Sequence, residues 1–182
     1  MQRYTIPAIV LHWLIALLIV AAFVLGLVMT DIPGLTPAKL RYVSWHKWLG
    51  VTVLGLAVLR LLWRLGHRPP ALPASTPAWQ QGAAHGLHAL LYVLIFAVPL
   101  SGYAFSLAAG VKVVYLGVFE LPVLFGPDPA LKPVLRAVHY WLDMSLAAAV
   151  ALHLAAALKH QFVDRDGLLA RMLPFAPTKE NP

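Results

Sequence analysis

The chain has 182 residues, of which 60% are hydrophobic and only 12% charged, and it contains no cysteine. Soluble globular domains carry about 25% charged residues, so this composition and a mean hydropathy of +0.76 predict a protein that folds in lipid. The absence of cysteine excludes disulfides, thiolate-bound iron–sulfur clusters and covalently attached c-type haem. The net charge of +7 does not indicate nucleic-acid binding, because the basic residues lie in short loops and at helix ends, as membrane proteins carry them.

Four apolar segments are long enough to cross a bilayer, since a helix of about 20 residues spans a hydrocarbon core of about 30 Å. They cover about residues 9–29, 43–65, 85–108 and 137–159. Only a helix satisfies its own backbone in lipid at this length. No small-residue cleavage site follows the first segment, so we expect it to remain as a span and not to be a signal peptide. The predicted fold is therefore all-α, with residues 1–182 forming one integral membrane domain, a four-transmembrane-helix bundle.

Three connections join these spans. They are a short loop at 30–42, a proline-rich loop at 66–80 and a longer loop at 109–136. The longer loop contains VKVVYLGVFELPVLFG, which is too short and interrupted to span, and we expect it to lie in the membrane interface. Pro99 lies inside the third span, where a proline is expected to kink the helix.

The basic residues predict an orientation, because cytoplasmic loops carry an excess of Lys and Arg. With four spans both termini share a side, and that side holds eight of the 14 basic residues: Arg3, Arg60, Arg64, Arg68, Lys159, Arg165, Arg171 and Lys179. The other side holds six: Lys39, Arg41, Lys47, Lys112, Lys132 and Arg136. This bias predicts that both termini are cytoplasmic.

The histidines fall into two layers at this orientation. An outer layer holds His46 and His139, and an inner layer holds His12, His88 and His153. His139 and His153 are fourteen residues apart on the fourth span, which places them within about 40° of one helix face and about 21 Å apart along its axis. One face of the fourth helix thus presents one imidazole to each layer, and each layer contains a partner on another helix.

Two facing imidazoles on different helices suit a haem iron, which takes axial ligands on opposite sides of the porphyrin. Ligation by two histidines leaves no open iron position, and this favours electron transfer over oxygen binding. A single histidine in a span is as often a packing residue that hydrogen-bonds a neighbouring helix. Facing histidines occur in both layers, and this favours a role as haem ligands over a packing role. The pattern predicts two stacked haems that carry electrons across the membrane.

Two other function classes stay open. His85 and His88, at i and i+3, would suit zinc or copper in a protein that binds or transports metal ions. The chain could also be a haem-bearing or passive anchor subunit of a larger oxidoreductase. A di-iron carboxylate bundle is excluded, because it needs several glutamates and Asp143 is the one acidic residue inside the predicted spans.

Several stretches resemble the bacterial cytochrome b561 family, which is related to the haem b subunits of nickel–iron hydrogenases. The resemblance covers nearly the whole chain, and its stretches are LHWLIALLIV at 11–20, HKWLG at 46–50, LRLLWRL at 59–65, HGLHALLYVLIFAVPLSG at 85–102 and LHLAAALKHQFVDRDGLLARMLP at 152–174. It implies four helices in the bacterial inner membrane, two haem b groups and electron transfer linked to quinone, with ubiquinone as the expected partner.

The resemblance also implies the axial ligands. The histidine pattern of the family falls on His12, His46, His139 and His153 of this sequence. Depth alone leaves His12 and His88 open as the inner partner of His153, and the family pattern assigns His12. One branch of the family oxidises superoxide and passes the electron to ubiquinone, which implies a membrane oxidoreductase, although no motif in this sequence assigns the chain to that branch.

Further residues are candidates for contacts with the cofactor or substrate. Haem propionates are anionic, so Arg60 on the inner side and Lys47 and Arg136 on the outer side are candidate partners for a propionate or a substrate. His85 and His88 are candidates for hydrogen bonding to a quinone or for relaying its protons. The basic outer side would attract a small anion such as superoxide, or balance anionic lipid. A periplasmic redox partner and an oligomer are also compatible with this sequence.

Overall fold

The computed structural model describes residues 3–73 and 76–173. Lys179, one of the basic residues counted for the orientation, and Pro174, the last residue of the 152–174 stretch, lie outside the described residues. It contains four long helices, α1 (Ile6–Asp31), α2 (Pro37–Gly66), α3 (Ala78–Ala108) and α4 (Leu131–Lys159). All four are long and apolar enough to cross a membrane. The predicted four-helix architecture is therefore confirmed, and α3 continues through Pro99 to Ala108. The kink at Pro99 stays a prediction.

The helices extend beyond the predicted spans, and polar side chains cap the starts of α2 and α4. The hydroxyl of Thr36 accepts a hydrogen bond from the Lys39 backbone N–H at 3.2 Å, and Pro37 follows the cap, so α2 begins at residue 37 and not at 43. A proline at the first helical position suits a helix start. Asp128 Oδ1 accepts from the backbone N–H groups of Ala130 and Leu131, both at 2.9 Å, at the start of α4.

A short hairpin lies in the long loop, where the sequence predicted no strand. Strand β1 (Val114–Tyr115) pairs antiparallel with β2 (Phe119–Glu120). The turn between them has positive φ at Leu116 (51°) and Gly117 (74°), which is the type I′ geometry that matches the twist of two strands. Trp48 Nε1 of α2 donates to the Val114 carbonyl at 2.7 Å, which fastens the hairpin to one end of the bundle.

The last described residues fold back onto the opposite end. After α4 the chain forms a π-helix (His160–Asp164) and a 3₁₀-helix (Leu169–Met172). Trp13 Nε1 of α1 donates to the Met172 carbonyl at 2.7 Å, and Arg171 Nη1 donates to the Ala71 carbonyl at 2.6 Å. Arg3 donates to the Leu173 carbonyl. The first and last described residues thus share one end, which we name the terminal side, and the hairpin marks the other end, the hairpin side.

An apolar cluster fills the middle of the bundle. Its buried members are Leu91 and Leu94 of α3 with Leu146 and Ala149 of α4, and Ile19 of α1 packs against them. Leu146 lies midway in sequence between His139 and His153. The outward faces of the helices are also apolar, as the exposed fractions of Leu17 (68%) and Val93 (63%) show. An apolar interior and an apolar exterior on the same helices are what a bilayer requires.

Candidate functional site

Two pairs of histidines face each other between the helices. The hairpin-side pair, His46 of α2 and His139 of α4, has ring centroids 6.2 Å apart with an angle of 79° between the ring planes. The terminal-side pair, His12 of α1 and His153 of α4, has centroids 6.1 Å apart and an angle of 81°. These pairs occupy the layers that the sequence predicted as outer and inner. The two pairs are almost identical in ring geometry.

The ring separations fit two imidazoles on opposite sides of one metal ion. An imidazole nitrogen bonds a first-row metal at about 2.0–2.1 Å, and each ring centroid lies about 1 Å behind that nitrogen, so the centroids of two opposed ligands should be about 6 Å apart. Both pairs meet this value. The rings of His88 and His153 are only 5.2 Å apart, which is too close for opposed ligands. The spacing favours His12 over His88 as the partner of His153.

The hairpin-side rings are held by backbone carbonyls of neighbouring helices. His46 Nδ1 lies 2.8 Å from the Ala22 carbonyl oxygen of α1, and His139 Nδ1 lies 3.1 Å from the Val98 carbonyl oxygen of α3. A carbonyl only accepts, so each Nδ1 carries the proton and donates it. The Nε2 atom of each neutral ring then has a free lone pair, which is the form that binds a metal.

Asp143 adds an acidic group to this pair. Its Oδ2 lies 3.3 Å from His139 Nε2, one helical turn along α4. A bare Nε2 lone pair and a carboxylate oxygen repel each other unless a proton or a cation lies near both. This side of the site therefore favours positive charge, as ferric iron would supply. The i, i+4 spacing of His139 and Asp143 can be read from the sequence, although no role was predicted for Asp143.

The terminal-side pair has a different neighbour. Arg60 Nη1 of α2 donates to His12 Nδ1 at 3.0 Å, and a guanidinium group has no acceptor. His12 therefore accepts at Nδ1, and a neutral ring in this arrangement carries its proton on Nε2. Binding of a metal at Nε2 requires that proton to move to Nδ1 and Arg60 to release the ring. Arg60 would then be free to pair with an anionic group.

Arg60 and Arg64 share one aromatic partner on α3. The guanidinium carbons lie 5.8 Å and 5.6 Å from the centroid of the Tyr92 ring, within the range of cation–π attraction. Arg60 is half-buried, whereas Arg64 is exposed. The structure thus brings Arg60 to the histidines and leaves Arg64 at the surface.

The other candidate cations lie at the hairpin side. Lys47 Nζ donates to the hydroxyl of Ser106 at 2.7 Å, and this buried hydroxyl donates in turn to the Val111 carbonyl at 2.7 Å. Lys47 thereby ties α2 to the end of α3. Arg136 is exposed on the first part of α4, so its charge lies at the surface.

His85 and His88 are both exposed on α3. His85 Nδ1 donates to the Gln81 carbonyl at 2.7 Å within its own helix, and the His88 ring lies beside His153. Within residues 3–73 and 76–173, the group of three or more ligand-type side chains close enough to share a metal is His160, Asp164 and Asp166, away from this pair. Lys159 Nζ already neutralises Asp164 at 2.6 Å. Among the described residues, no third ligand-type side chain lies close enough to His85 and His88 for all three to share a metal ion.

Besides Asp143 and the two carbonyls, sequence reasoning missed further residues that touch the hairpin-side pair. They include Gly26, Ser101 and Gly102, which contact His46 or His139 across helix boundaries. The PLSG stretch at 99–102 was one of the stretches carrying the resemblance, but nothing in its own sequence says which ring it meets. Only the register between α3 and α4 shows that.

A family model and several known proteins match nearly the whole of this chain. The family model described as prokaryotic cytochrome b561 matches residues 3–175. Cytochrome b561 homolog 2 of Escherichia coli (strain K12) is 34% identical over 173 residues, which are 94% of this chain and 92% of that protein. Cytochrome b561 homolog 1 of the same organism is 28% identical over 175 residues, covering 96% and 98%.

A third relative carries a functional name. The probable superoxide oxidase CybB of Yersinia pestis is 30% identical over 178 residues, covering 95% of this chain and 97% of that protein. The similarities and the family model run from end to end, and they coincide with four helices able to cross a membrane. The chain belongs to the prokaryotic cytochrome b561 family, and haem b is the cofactor that this membership implies.

Proposed function

We propose that this protein is a di-haem b cytochrome of the bacterial inner membrane that passes electrons to quinone. The observation that carries the proposal is the presence of two histidine pairs with ring centroids 6.1 Å and 6.2 Å apart, at the two ends of one bundle. His46 and His139 would hold one haem, and His12 and His153 the other. Each haem would supply one-electron chemistry, and two axial histidines leave no open position on the iron for substrate.

The proposed orientation places the terminal side in the cytoplasm. The choice of side rests on the excess of basic residues there, and the contacts between the first and last described residues support placing both on the same side. A reporter at the C-terminus tests it. Fluorescent protein fused there should fluoresce and alkaline phosphatase should stay inactive, and the reverse result would overturn the orientation.

We further propose superoxide as the electron donor at the hairpin side. The basic residues there outnumber the acidic residues, and a field of that sign concentrates small anions. The acids are Asp31, Glu120 and Asp128, and Glu120 is already paired with Lys112 at 2.7 Å. The name of the Yersinia pestis relative agrees with this donor. Two superoxide ions would each lose one electron to give dioxygen, while one ubiquinone takes two electrons and two protons to give ubiquinol.

The quinone is proposed to react at the terminal side, beside His88. This ring is exposed and lies 5.2 Å from His153, so it joins the terminal-side pair to the bundle surface. An imidazole at that place can hydrogen-bond a quinone oxygen and pass it a proton. His85, one turn earlier and also exposed, extends this route toward water.

An absorption spectrum of the purified protein tests the cofactor. We expect sharp reduced α and β bands and a pyridine haemochrome assay that gives two haem b per chain. One haem per chain would overturn the two-site proposal. A colourless protein that binds divalent metal would instead support metal-ion binding or transport.

Stopped-flow mixing then tests the donor and acceptor. Superoxide should reduce the haem bands, and ubiquinone added afterwards should reoxidise them. Reduction by ubiquinol without any reduction by superoxide would reverse the proposed direction. A response to neither would favour a role as the haem-bearing anchor of a larger oxidoreductase.

A further inference from the structure

The two hairpin-side histidines are held by the same local pattern on two different helices. On α1 the Ala22 carbonyl lies 2.8 Å from His46 Nδ1, and Gly26, four residues later, lies beside the same ring. On α3 the Val98 carbonyl and Gly102, also four residues later, stand in the same relation to His139. Residues four apart lie on one helix face about one turn apart, so each ring fits between a carbonyl and a glycine.

The two glycines differ in how closely the rings approach. A Cβ atom on Gly102 would lie 2.8 Å from His139 Cε1 and 3.2 Å from its Nε2. A Cβ atom on Gly26 would lie 3.4 Å from His46 Cε1, which is ordinary van der Waals contact. An alanine at 102 therefore forces the His139 ring to move, and an alanine at 26 does not force His46.

Helix packing alone does not explain this arrangement. Glycines that ease helix packing let two backbones approach each other. Here the atoms nearest to the missing Cβ are imidazole atoms in both cases. Gly55 of α2 is a useful contrast, since a Cβ there meets nothing within 4 Å.

We propose that Gly26 and Gly102, with the carbonyls of Ala22 and Val98, form two carbonyl–glycine cradles that set the position of the hairpin-side haem ligands. The inference rests on the proposed function, because it takes His46 and His139 as ligands. The carbonyl fixes the proton on Nδ1, and the glycine lets the ring lie close enough to direct Nε2 at the iron. Gly102 is the tighter of the two positioning residues.

Ser101 completes the cradle of His139. Its hydroxyl donates to the Val98 carbonyl at 2.7 Å, so its oxygen is left to accept the Nδ1 proton of His139 at 2.9 Å. The Nδ1 proton is thus shared between the hydroxyl and the carbonyl. Donation of this proton makes the imidazole a stronger ligand and favours ferric iron, so Ser101 holds down the potential of the hairpin-side haem.

The experiment compares four variants in the full-length, haem-loaded protein. Gly102→Ala is the main change, Gly26→Ala the milder counterpart, Gly55→Ala the matched control and Ser101→Ala a change that adds no bulk. The measurements are haem per chain, the low-spin haem spectrum and a potentiometric titration. His46→Ala and His12→Ala identify which of the two signals belongs to which pair.

We expect Gly102→Ala to lose the hairpin-side haem, or to convert it from low spin to high spin, while the terminal-side haem keeps its wild-type spectrum and potential. Gly26→Ala should keep both haems, with at most a small shift in the hairpin-side potential, because a Cβ at 26 meets His46 only at van der Waals distance. Gly55→Ala should match the wild type in all three measurements. The retained terminal-side haem shows that the variant has folded.

If Gly102→Ala fails to fold, Ser101→Ala tests the proposed cradle of His139. It should keep two haems and raise the hairpin-side potential alone. Wild-type spectra and potentials in Ser101→Ala, or in a folded Gly102→Ala, would overturn the cradles while leaving the di-haem proposal standing. A wild-type protein with no haem would overturn the di-haem proposal and the cradles together.

Discussion

The hairpin-side and terminal-side pairs have nearly the same ring separation but opposite surroundings. Carbonyl oxygens accept from both hairpin-side rings, whereas a guanidinium donates to His12 on the terminal side. On the hairpin side, Nε2 of each ring keeps a lone pair that can bind a metal. On the terminal side, Nδ1 of His12 accepts a hydrogen bond, so the proton of the neutral ring is on Nε2. Sequence spacing on α4 thus places a ring at each end, while neighbouring helices decide which nitrogen of each ring is available.

This difference bears on how the two proposed sites would accept their haems. Binding costs less free energy when the groups of a site are already ordered. The hairpin-side rings are ordered in this way, because backbone carbonyls already hold them. On the terminal side Arg60 would have to leave His12 before His12 Nε2 could bind the proposed haem iron. The released guanidinium suits a carboxylate, such as a haem propionate, because it donates through a rigid fork.

Removing one ligand from each pair gives the largest expected effect. His46→Ala and His12→Ala should each reduce the haem content from two to one per chain, with loss of a different haem. His88→Ala should keep both, because its ring is too close to His153 to be an opposed ligand. Haem assays with redox titration measure this. Loss of a haem in His88→Ala with two haems in His12→Ala would overturn the pairing.

Arg60→Gln should act on the terminal side alone. A cation beside a haem favours the ferrous state, so its removal should lower the terminal-side potential, on the order of 50 mV for one charge in a partly buried setting. Arg64→Gln is the matched control, because Arg64 contacts the same Tyr92 ring from an exposed position. Equal shifts in both variants would contradict a specific role for Arg60.

Asp143→Asn should raise the hairpin-side potential, whereas Arg60→Gln should lower the terminal-side potential. The carboxylate lies 3.3 Å from His139 Nε2, and loss of its negative charge disfavours ferric iron. We expect the hairpin-side potential to rise by tens of millivolts and the terminal-side potential to stay constant. The measurement is a potentiometric titration, and the control variant is Asp31→Asn, which removes an exposed carboxylate at the end of α1. A shift confined to the terminal side would show that the two signals are wrongly assigned.

The smallest expected effect concerns the rate of superoxide capture. Arg136→Gln removes an exposed charge from the hairpin side and should slow haem reduction by superoxide a few-fold at low salt, with the difference shrinking as salt screens the field. Arg165→Gln, on the terminal side, is the control. Equal slowing in both variants would argue against entry of superoxide at the hairpin side.

The fold was largely predictable because each span carries its own apolar signal. The helix α2 begins ahead of the span predicted at about 43–65, because Thr36 and Pro37 start it before its apolar part. The hairpin at 114–120 was missed because its strands have two residues each and are stabilised by Trp48 of another element. Such contacts cannot be read from a local pattern.

The candidate site was predictable in its ring positions and not in its neighbours. The fourteen-residue spacing of His139 and His153 follows from helix geometry alone. The contact of Arg60 with His12 depends on the register of α1 against α2, and that of Gly102 with His139 on the register of α3 against α4. A single sequence gives no measure of these registers.

The apolar cluster around Leu91, Leu94, Leu146 and Ala149 has an electrical consequence. The described members of this cluster are all apolar, so in the proposed function an electron would cross it without an accompanying proton. In the proposed orientation that electron moves toward the negative side of the membrane, against about 2.3 kcal/mol per 100 mV. The membrane voltage would thus oppose turnover, and turnover would in return help to charge the membrane.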